Sequence, residues 1–293
     1  MTPFDFSRAH FRARSLVSRL YGRFAPLLRS LNGSPDYLEQ QVERSWQKEW
    51  RTLLDLGLRD GADIVDIGCG PGHFTRKLAD QLPSARIVAL DADSASIAHA
   101  QRTFSNGGRD CLSFALGRAE HTGLPAESAD FVLARLVFQH LRNPADAVRE
   151  AYRVLRQGGK LIVTDIDDGL FGMTQPELPE LARVLDAYGR AQSERGGNRR
   201  IARSLVPLLR EGQFCDVRLD TITMTSDDPG ISNRLPQFDP APLGFLVRSN
   251  LISRREYSEV RAAHDKFVRT PGSFTVVLSF MASGTKPCDE KRG

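Results

Sequence analysis

The chain has 293 residues, 41% hydrophobic and 26% charged, a composition that fits a globular protein of one large domain or two small ones. Its net charge of +4 is mild and local, because residues 1–35 carry six arginines against one aspartate. No apolar run approaches the roughly 20 residues of a bilayer span, the N-terminus lacks a secretory apolar stretch, and the four cysteines lie far apart; membrane span, secretion, disulfide framework and zinc site are therefore set aside for a cytoplasmic protein with free thiols.

In chain order, the first predicted element is an amphipathic helix in "LVSRLYGRFAPLLRSL". There Val17, Leu20, Tyr21, Phe24, Leu27, Leu28 and Leu31 recur at intervals of three and four with arginines between them, and Pro26 breaks or kinks the run. A second helix, "YLEQQVERSWQKEWRTLLDLGL", leads into the core. From residue 60 onward, apolar segments of strand length alternate with segments of helical period, the pattern of βα units building a parallel sheet. Strands are expected at 62–68, 85–93, 112–119, 130–136 and 159–167. The clearest helix is "NPADAVREAYRVLRQGG", with Asn143 as cap, Pro144 at the first position, and Gly158 and Gly159 as its end. After residue 168 the rhythm changes. "ELPELARVLDAYGRAQSE" and "IARSLVPLLREG" read as helices, and "DVRLDTITMTS" and "SFTVVLSFMASG" as a closing strand pair interrupted by an insertion. Residues 286–293 read as a frayed tail.

Within the first βα unit, "DIVDIGCGPGHF" places Gly68, Gly70 and Gly72 directly after a buried strand. A strand, glycine turn and helix bring bare backbone against a ligand, since a Cβ would hold the ligand off and glycine tolerates the φ values of the turn. A GxGxxG dinucleotide fingerprint would need glycine at 73, where His73 stands, which argues against NAD or FAD. At the end of the second strand, Asp91 offers a carboxylate to both hydroxyls of a ribose.

The ordered segments "VDIGCGPG", "VALDAD", "GRAEHTGLP" and "DFVLARLVFQHLRNPADAVREAYRVLRQGGKLIVTD" resemble the successive motifs of class I S-adenosylmethionine-dependent methyltransferases over roughly residues 40–168. The resemblance implies an α/β, Rossmann-like fold: a seven-stranded, mostly parallel sheet with an antiparallel last strand and helices on both faces. An N-terminal helical lid (1–50), a cofactor-binding core (51–168), late pocket-shaping insertions within 169–285, and the tail (286–293) are expected with it. The implied cofactor is S-adenosylmethionine, with S-adenosylhomocysteine as product. Its methionine part falls against Asp66, Gly68, Gly70 and the backbone of Arg135, with Cys69 and Gly72 completing the loop. The ribose falls to Asp91, Ala92 flanks the adenine, and Arg118, Ala119 and Glu120 face its polar edge. Many relatives have an aspartate where this chain has Arg118, so the acidic contact to the adenine is missing or comes from Glu120.

A sulfonium carries its own leaving group, so methyl transfer needs an in-line nucleophile and, for a neutral acceptor, removal of a proton. The fourth strand ends in "ARLVFQHL" and not in a carboxylate cluster, so no metal is expected, and it lacks the (D/N/S)PP(Y/F/W) signature of nucleic-acid amino methylation. His140, at the carboxyl edge of the sheet, is the candidate base; the alternative is a structural histidine before Asn143. Asp165, Asp167 and Asp168 either face the acceptor or lie in a solvated loop, and Tyr21 and Phe24 are expected to close over the pocket. Trp46 and Trp50 either roof the cofactor or fill the interface between helix and core. The leading function is metal-independent methyl transfer to a small organic acceptor in specialised metabolism. The alternatives are an isoprenoid or quinone methyltransferase at a membrane surface and a non-catalytic cofactor-binding protein. A nucleic-acid partner is not expected; a homo-oligomer through the N-terminal helices is a further expectation.

Overall fold

The computed structural model describes residues 35–104, 111–170, 172–228, 244–248 and 250–288. The first predicted helix, with Tyr21 and Phe24, lies outside the described residues. The chain then runs through α1 (Pro35–Asp55), β1 (Asp63–Ile67), α2 (His73–Gln81), β2 (Arg86–Asp91), α3 (Ser94–Phe104), β3 (Leu112–Leu116) and β4 (Ala129–Arg135). It continues through α4 (Pro144–Val154), β5 (Leu155–Asp165), β6 (Gly172–Gln175), α5 (Pro179–Ser193), α6 (Ala202–Glu211), β7 (Cys215–Thr225), α7 (Arg254–Arg269) and β8 (Phe274–Thr285).

Strands β3, β2, β1, β4 and β5 pair in parallel in that order, and β8 joins β5 antiparallel. Strand β7 runs along one edge of β8, while β5 and β6 share the opposite edge end to end, β5 against residues 280–285 and β6 against 274–277. The expected sheet of seven positions is therefore present, and an eighth, four-residue strand continues the β5 position. Every residue of β1 is buried, as a parallel strand covered on both faces requires. One face carries α4 and α6 on a core of Val65, Val132, Val154, Leu161, Leu205 and Leu209. The other carries α1 and α2 over Ile64, Phe131 and Leu133, with Trp46, Leu53 and Leu78 from the helices.

Two boundaries differ from the sequence expectation. Helix α4 stops at Val154, because Leu155 turns extended and pairs with Ala129 as the start of β5. Gly158, at φ 74°, belongs to that strand's irregular beginning, where its N–H meets the Lys286 carbonyl, and Gly159 accepts from the Lys286 N–H. Within the stretch read as an insertion, α7 forms behind a capping box: the Ser253 hydroxyl accepts from the Glu256 N–H while the Glu256 carboxylate accepts from the Ser253 N–H.

Helix α1 is docked by a buried ion pair. The Arg135 Nε donates to both carboxylate oxygens of Glu49 at 2.8 and 3.1 Å, Nη2 donates to Ser45 Oγ at 3.0 Å, and the guanidinium lies over the Phe74 ring at 5.7 Å. Trp46 stacks on Trp50 at 5.4 Å and meets Phe74 edge-on, so the tryptophans fill the interface between helix and core. Removing one partner of such a pair leaves the other charge stranded. Glu49→Ala is expected to lower the unfolding free energy by about 3 kcal/mol, and the double variant Glu49→Leu with Arg135→Met to recover most of it. Urea titration at constant m-value measures both; an unchanged midpoint for Glu49→Ala would mean that tryptophan packing alone holds the helix.

Candidate active site

At the carboxyl end of β1 the backbone passes through three left-handed glycines, Gly68 at φ 72°, Gly70 at 55° and Gly72 at 90°. A Cβ on Gly68 would lie 2.3 Å from Val137 Cγ2, and one on Gly72 would lie 2.9 Å from the Phe114 ring. A Cβ on Gly70 would meet nothing within 4 Å. Two of the glycines are thus required by packing as well as by φ, and the middle one turns its bare backbone to open space. The loop is fixed from β2. Gly68 and Cys69 donate to the Leu90 carbonyl, and the Asp91 carboxylate accepts the Gly70 N–H on one oxygen and the Asp93 N–H on the other, both at 2.8 Å.

Burial raises the pKa of Asp91. Asp66, one strand over, is fully enclosed and accepts from Thr75 Oγ1 at 2.6 Å. Desolvation, opposed by Thr75, and the neighbouring Asp91 charge bring its pKa up to about 7. Burial also pushes the Cys69 thiol well up, so it remains protonated. Ala92 is exposed beside Asp91 and Ala119 is buried. Arg118 Nη2 donates to Glu120 Oε1 at 3.1 Å, so an adenine contact from Glu120 would compete with that pair. Arg135 turns its side chain away to Glu49 and leaves only its backbone at the strand end.

Beyond β4, Leu136 adopts φ 58° and donates to the Thr164 carbonyl, and a single 3-10 turn, Phe138–His140, follows. A non-glycine residue in this region is backbone strain held by its surroundings. The turn is pinned to β5, since the Gln139 N–H donates to Asp165 Oδ2 at 3.0 Å. Asp165 also accepts from the Ile166 N–H and is fully enclosed, and burial brings its pKa up to about 7. Asp167 is equally enclosed and held by Arg203 at 2.5 and 2.8 Å. The expectation that Asp165 and Asp167 face the acceptor is thus corrected: one staples two loops and the other neutralises an arginine. Asp168 likewise accepts a two-pronged contact from Arg199 at 2.6 and 2.9 Å.

His140 keeps open surface at this edge. Its Nδ1 lies 2.7 Å from Gln192 Nε2, which also donates to the Gln139 carbonyl at 2.9 Å. Arg199, stacked over the Tyr188 ring at 4.2 Å, donates to Gln139 Oε1 at 2.9 Å. Sequence reasoning passed over Glu49, Gln192 and Arg199. The one local signal was the pair Gly196 and Gly197: a Cβ on Gly197 would lie 2.5 Å from the Gln139 carbonyl oxygen, a close approach that only glycine permits.

Residues 65–163 match the family described as methyltransferase domain. Over 243 residues, 80% of this chain and 82% of the relative, the protein is 28% identical to the malonyl-[acyl-carrier protein] O-methyltransferase of Methylococcus capsulatus. The chain is a class I S-adenosylmethionine-dependent methyltransferase. It is also 27% identical over 155 residues to the ubiquinone/menaquinone biosynthesis C-methyltransferase of Hahella chejuensis, a match covering 52% of this chain and 59% of that one. Its fold superimposes with a TM-score of 0.55 and 16% identity on phosphoethanolamine N-methyltransferase 2 of Haemonchus contortus in complex with phosphomonomethylethanolamine and S-adenosylhomocysteine, covering 83% of this chain and 53% of that one. The chain thus spans less than two thirds of the last two proteins.

The methyltransferase's cofactor is S-adenosylmethionine, which supplies, when bound, a methyl group activated by a sulfonium. The residues present fit it: Gly70 offers open backbone, the Asp91 carboxylate keeps lone pairs beyond those given to Gly70 and Asp93, and Asp66 lies next to both. Asp91→Ala removes the brace on Gly70 and, if the ribose binds there, its acceptor, each charged hydrogen bond being worth about 1.5–3 kcal/mol. S-adenosylhomocysteine affinity, measured by calorimetry, is expected to fall about tenfold or more, and an unchanged value would put the ribose elsewhere.

A pH dependence follows from Asp66. In the free protein its carboxyl is half protonated near pH 7, and a cationic ligand favours the carboxylate, so binding expels the proton. Affinity for S-adenosylmethionine is expected to rise from pH 6 toward pH 7 and flatten above about pH 8. Calorimetry in buffers of different ionisation enthalpy reads the released proton. Asp66→Asn is expected to abolish both slope and release; a slope that survives it belongs to another group.

Proposed function

We propose that this methyltransferase acts, without a metal ion, on a small organic acceptor of specialised metabolism bound beside the carboxyl ends of β4 and β5. One observation supports this most directly. Val137 touches the Gly68 position of the glycine loop, and three residues later the same turn presents the open His140, so acceptor and cofactor elements share one short segment. The chain's own groups then divide the work. Asp91 and the glycine loop hold the cofactor, the pinned turn orients the acceptor, and the enclosed Arg199 network keeps that turn rigid. Among the described residues, no group of three or more His, Cys, Asp or Glu side chains is placed to hold a metal ion. In this reading residues 51–168 form the cofactor core, 169–285 shape the pocket, and 1–50 serve as a lid.

Similarity to a quinone C-methyltransferase favours a second reading, an isoprenoid or quinone acceptor. No helix of the described residues is long and apolar enough to cross a membrane, so such an acceptor would be met at a surface. The test is to incubate the protein with methyl-labelled S-adenosylmethionine, a chelator, and either a water-soluble metabolite fraction or a lipid extract. Label is expected on water-soluble organic compounds despite the chelator. Label confined to the lipid extract would establish the second reading, and loss of transfer on chelation would overturn the metal-free one.

A further inference from the structure

We infer that Gln192 locks His140 as its Nε2–H tautomer, so that His140 binds an oxyanion of the acceptor as a hydrogen-bond donor and does not act as the base, and that the acceptor is a carboxylic acid. This inference rests on the proposed methyl transfer to a small organic acceptor, and its first half is testable without any turnover.

The tautomer follows from what each partner can do. The Gln139 backbone carbonyl only accepts hydrogen bonds, and an atom of the Gln192 amide lies 2.9 Å from it, so that atom is the NH2 group. The same nitrogen lies 2.7 Å from His140 Nδ1. An amide nitrogen has no lone pair to accept with, so Nδ1 accepts and the ring proton sits on Nε2. Flipping the amide would set its oxygen against both the Gln139 carbonyl and Nδ1. The position now held by Oε1 is buried and meets no hydrogen-bond donor, so the orientation is decided at the Gln139 carbonyl. Gln192 has little freedom to move. It is buried on α5, and Gly197 packs so closely that even a Cβ there would lie 2.8 Å from Gln192 Cγ.

The same surroundings oppose protonation of the ring. Desolvation and the nearby Arg199 guanidinium hold the His140 pKa below the usual histidine range, although the residue keeps an open face. To take a proton at Nε2, the ring would first have to move its proton to Nδ1, against the Gln192 N–H, and would then become a cation beside Arg199. Asp165 is fully enclosed and Asp168 is paired with Arg199, so neither carboxylate at this edge replaces it as base. The nucleophile must then arrive already ionised, and a carboxylic acid, with an ordinary pKa near ~4, does so at neutral pH. One carboxylate oxygen rests on the His140 Nε2–H. The other forms the new O–C bond to the methyl carbon as the S–C bond breaks, and the bonding pair stays on sulfur. A methyl ester and a neutral thioether result, and no proton is taken up or released.

The experiment has two arms on the full-length protein. In the first, 15N NMR of histidine-labelled protein, with His140→Gln to assign the signal, reads which ring nitrogen carries the proton. Protonated Nε2 with bare Nδ1 is expected, and a proton on Nδ1 overturns the donor assignment. In the second, methyl transfer to the N-acetylcysteamine thioester of malonate is compared for the wild type, His140→Gln and His140→Ala. Glutamine keeps an N–H near the Nε2 position but has no basic nitrogen. His140→Gln is expected to stay within about tenfold of the wild type and His140→Ala to lose about a hundredfold in kcat/KM, with S-adenosylhomocysteine affinity unchanged in both. If His140→Gln is as inactive as His140→Ala while both bind S-adenosylhomocysteine normally, the base assignment stands and the donor is overturned. A wild type that leaves the malonyl probe unmethylated and labels other small compounds only in bonds that resist mild alkali, so not as methyl esters, overturns the carboxylic-acid class. A wild type that labels no small compound defeats the underlying functional reading, and the NMR arm still decides the tautomer.

Discussion

The carboxylate of Asp91 accepts the Gly70 N–H on one oxygen and the Asp93 N–H on the other, and through these two bonds the turn after β1 is tied to the turn after β2. A chain of three left-handed glycines has many conformations open to it when unfolded and no side chains with which to choose among them. The choice is made from outside, by Asp91, by the Leu90 carbonyl that receives Gly68 and Cys69, and by the side chains that crowd Gly68 and Gly72. The device recurs along the edge. Asp66 receives Thr75 from the start of α2, and Asp165 receives Gln139 from the turn after β4. Each carboxylate at a strand end thus anchors a neighbouring segment. Burial raises the pKa of all three, so the edge of the sheet holds acids that gain from a cation brought beside them.

The pair between Glu49 and Arg135 has a different role. Taking both charges out of water costs about as much as their attraction returns, so the pair adds little net stability over an apolar equivalent. What it does supply is direction. Arg135 is the last residue of β4, and its side chain can reach Glu49 and Ser45 together only if α1 lies in one rotation and one register across the sheet. Trp46 and Trp50 supply the apolar contact, and Lys48, bonded to the Thr223 carbonyl and to Asp228, fixes the other side of the helix on β7.

Much of this was legible in the sequence where the signal is local. Alternation of apolar segments gave the parallel strands and the glycine spacing gave the loop, whereas the bond between Asp91 and Gly70 was not read from either. Local signals also misled. Gly158 and Gly159 read as a helix end, whereas Leu155 had already left the helix to pair with Ala129, a contact decided 26 residues away in the chain. Strand β6 has four largely exposed residues and no alternation, so nothing marks it until β8 offers an edge. Asp165 and Asp167 looked alike in sequence and free to face a ligand. Their fates were set by Gln139 on one side and Arg203 on the other, neither of which any periodicity connects to them. Helix α7 carries a local signal of its own, Ser253 and Glu256 at capping-box spacing.

The two halves of the site also differ in how they are built. The proposed cofactor half comes from β1, β2 and the turns after them, and it lies within the family match at residues 65–163. On the acceptor side, Gln192 and Arg199 come from outside that match, and they reach back to Gln139 and His140 inside it. The proposed site therefore draws one part from within the matched domain and another from beyond it. The ring's chemistry is then set by the partner at Nδ1: an amide N–H there makes Nε2 a donor, and a carboxylate in the same place would make it an acceptor. In this chain the amide is fixed by a backbone carbonyl that cannot donate, so the identity of residue 192 governs what His140 can offer.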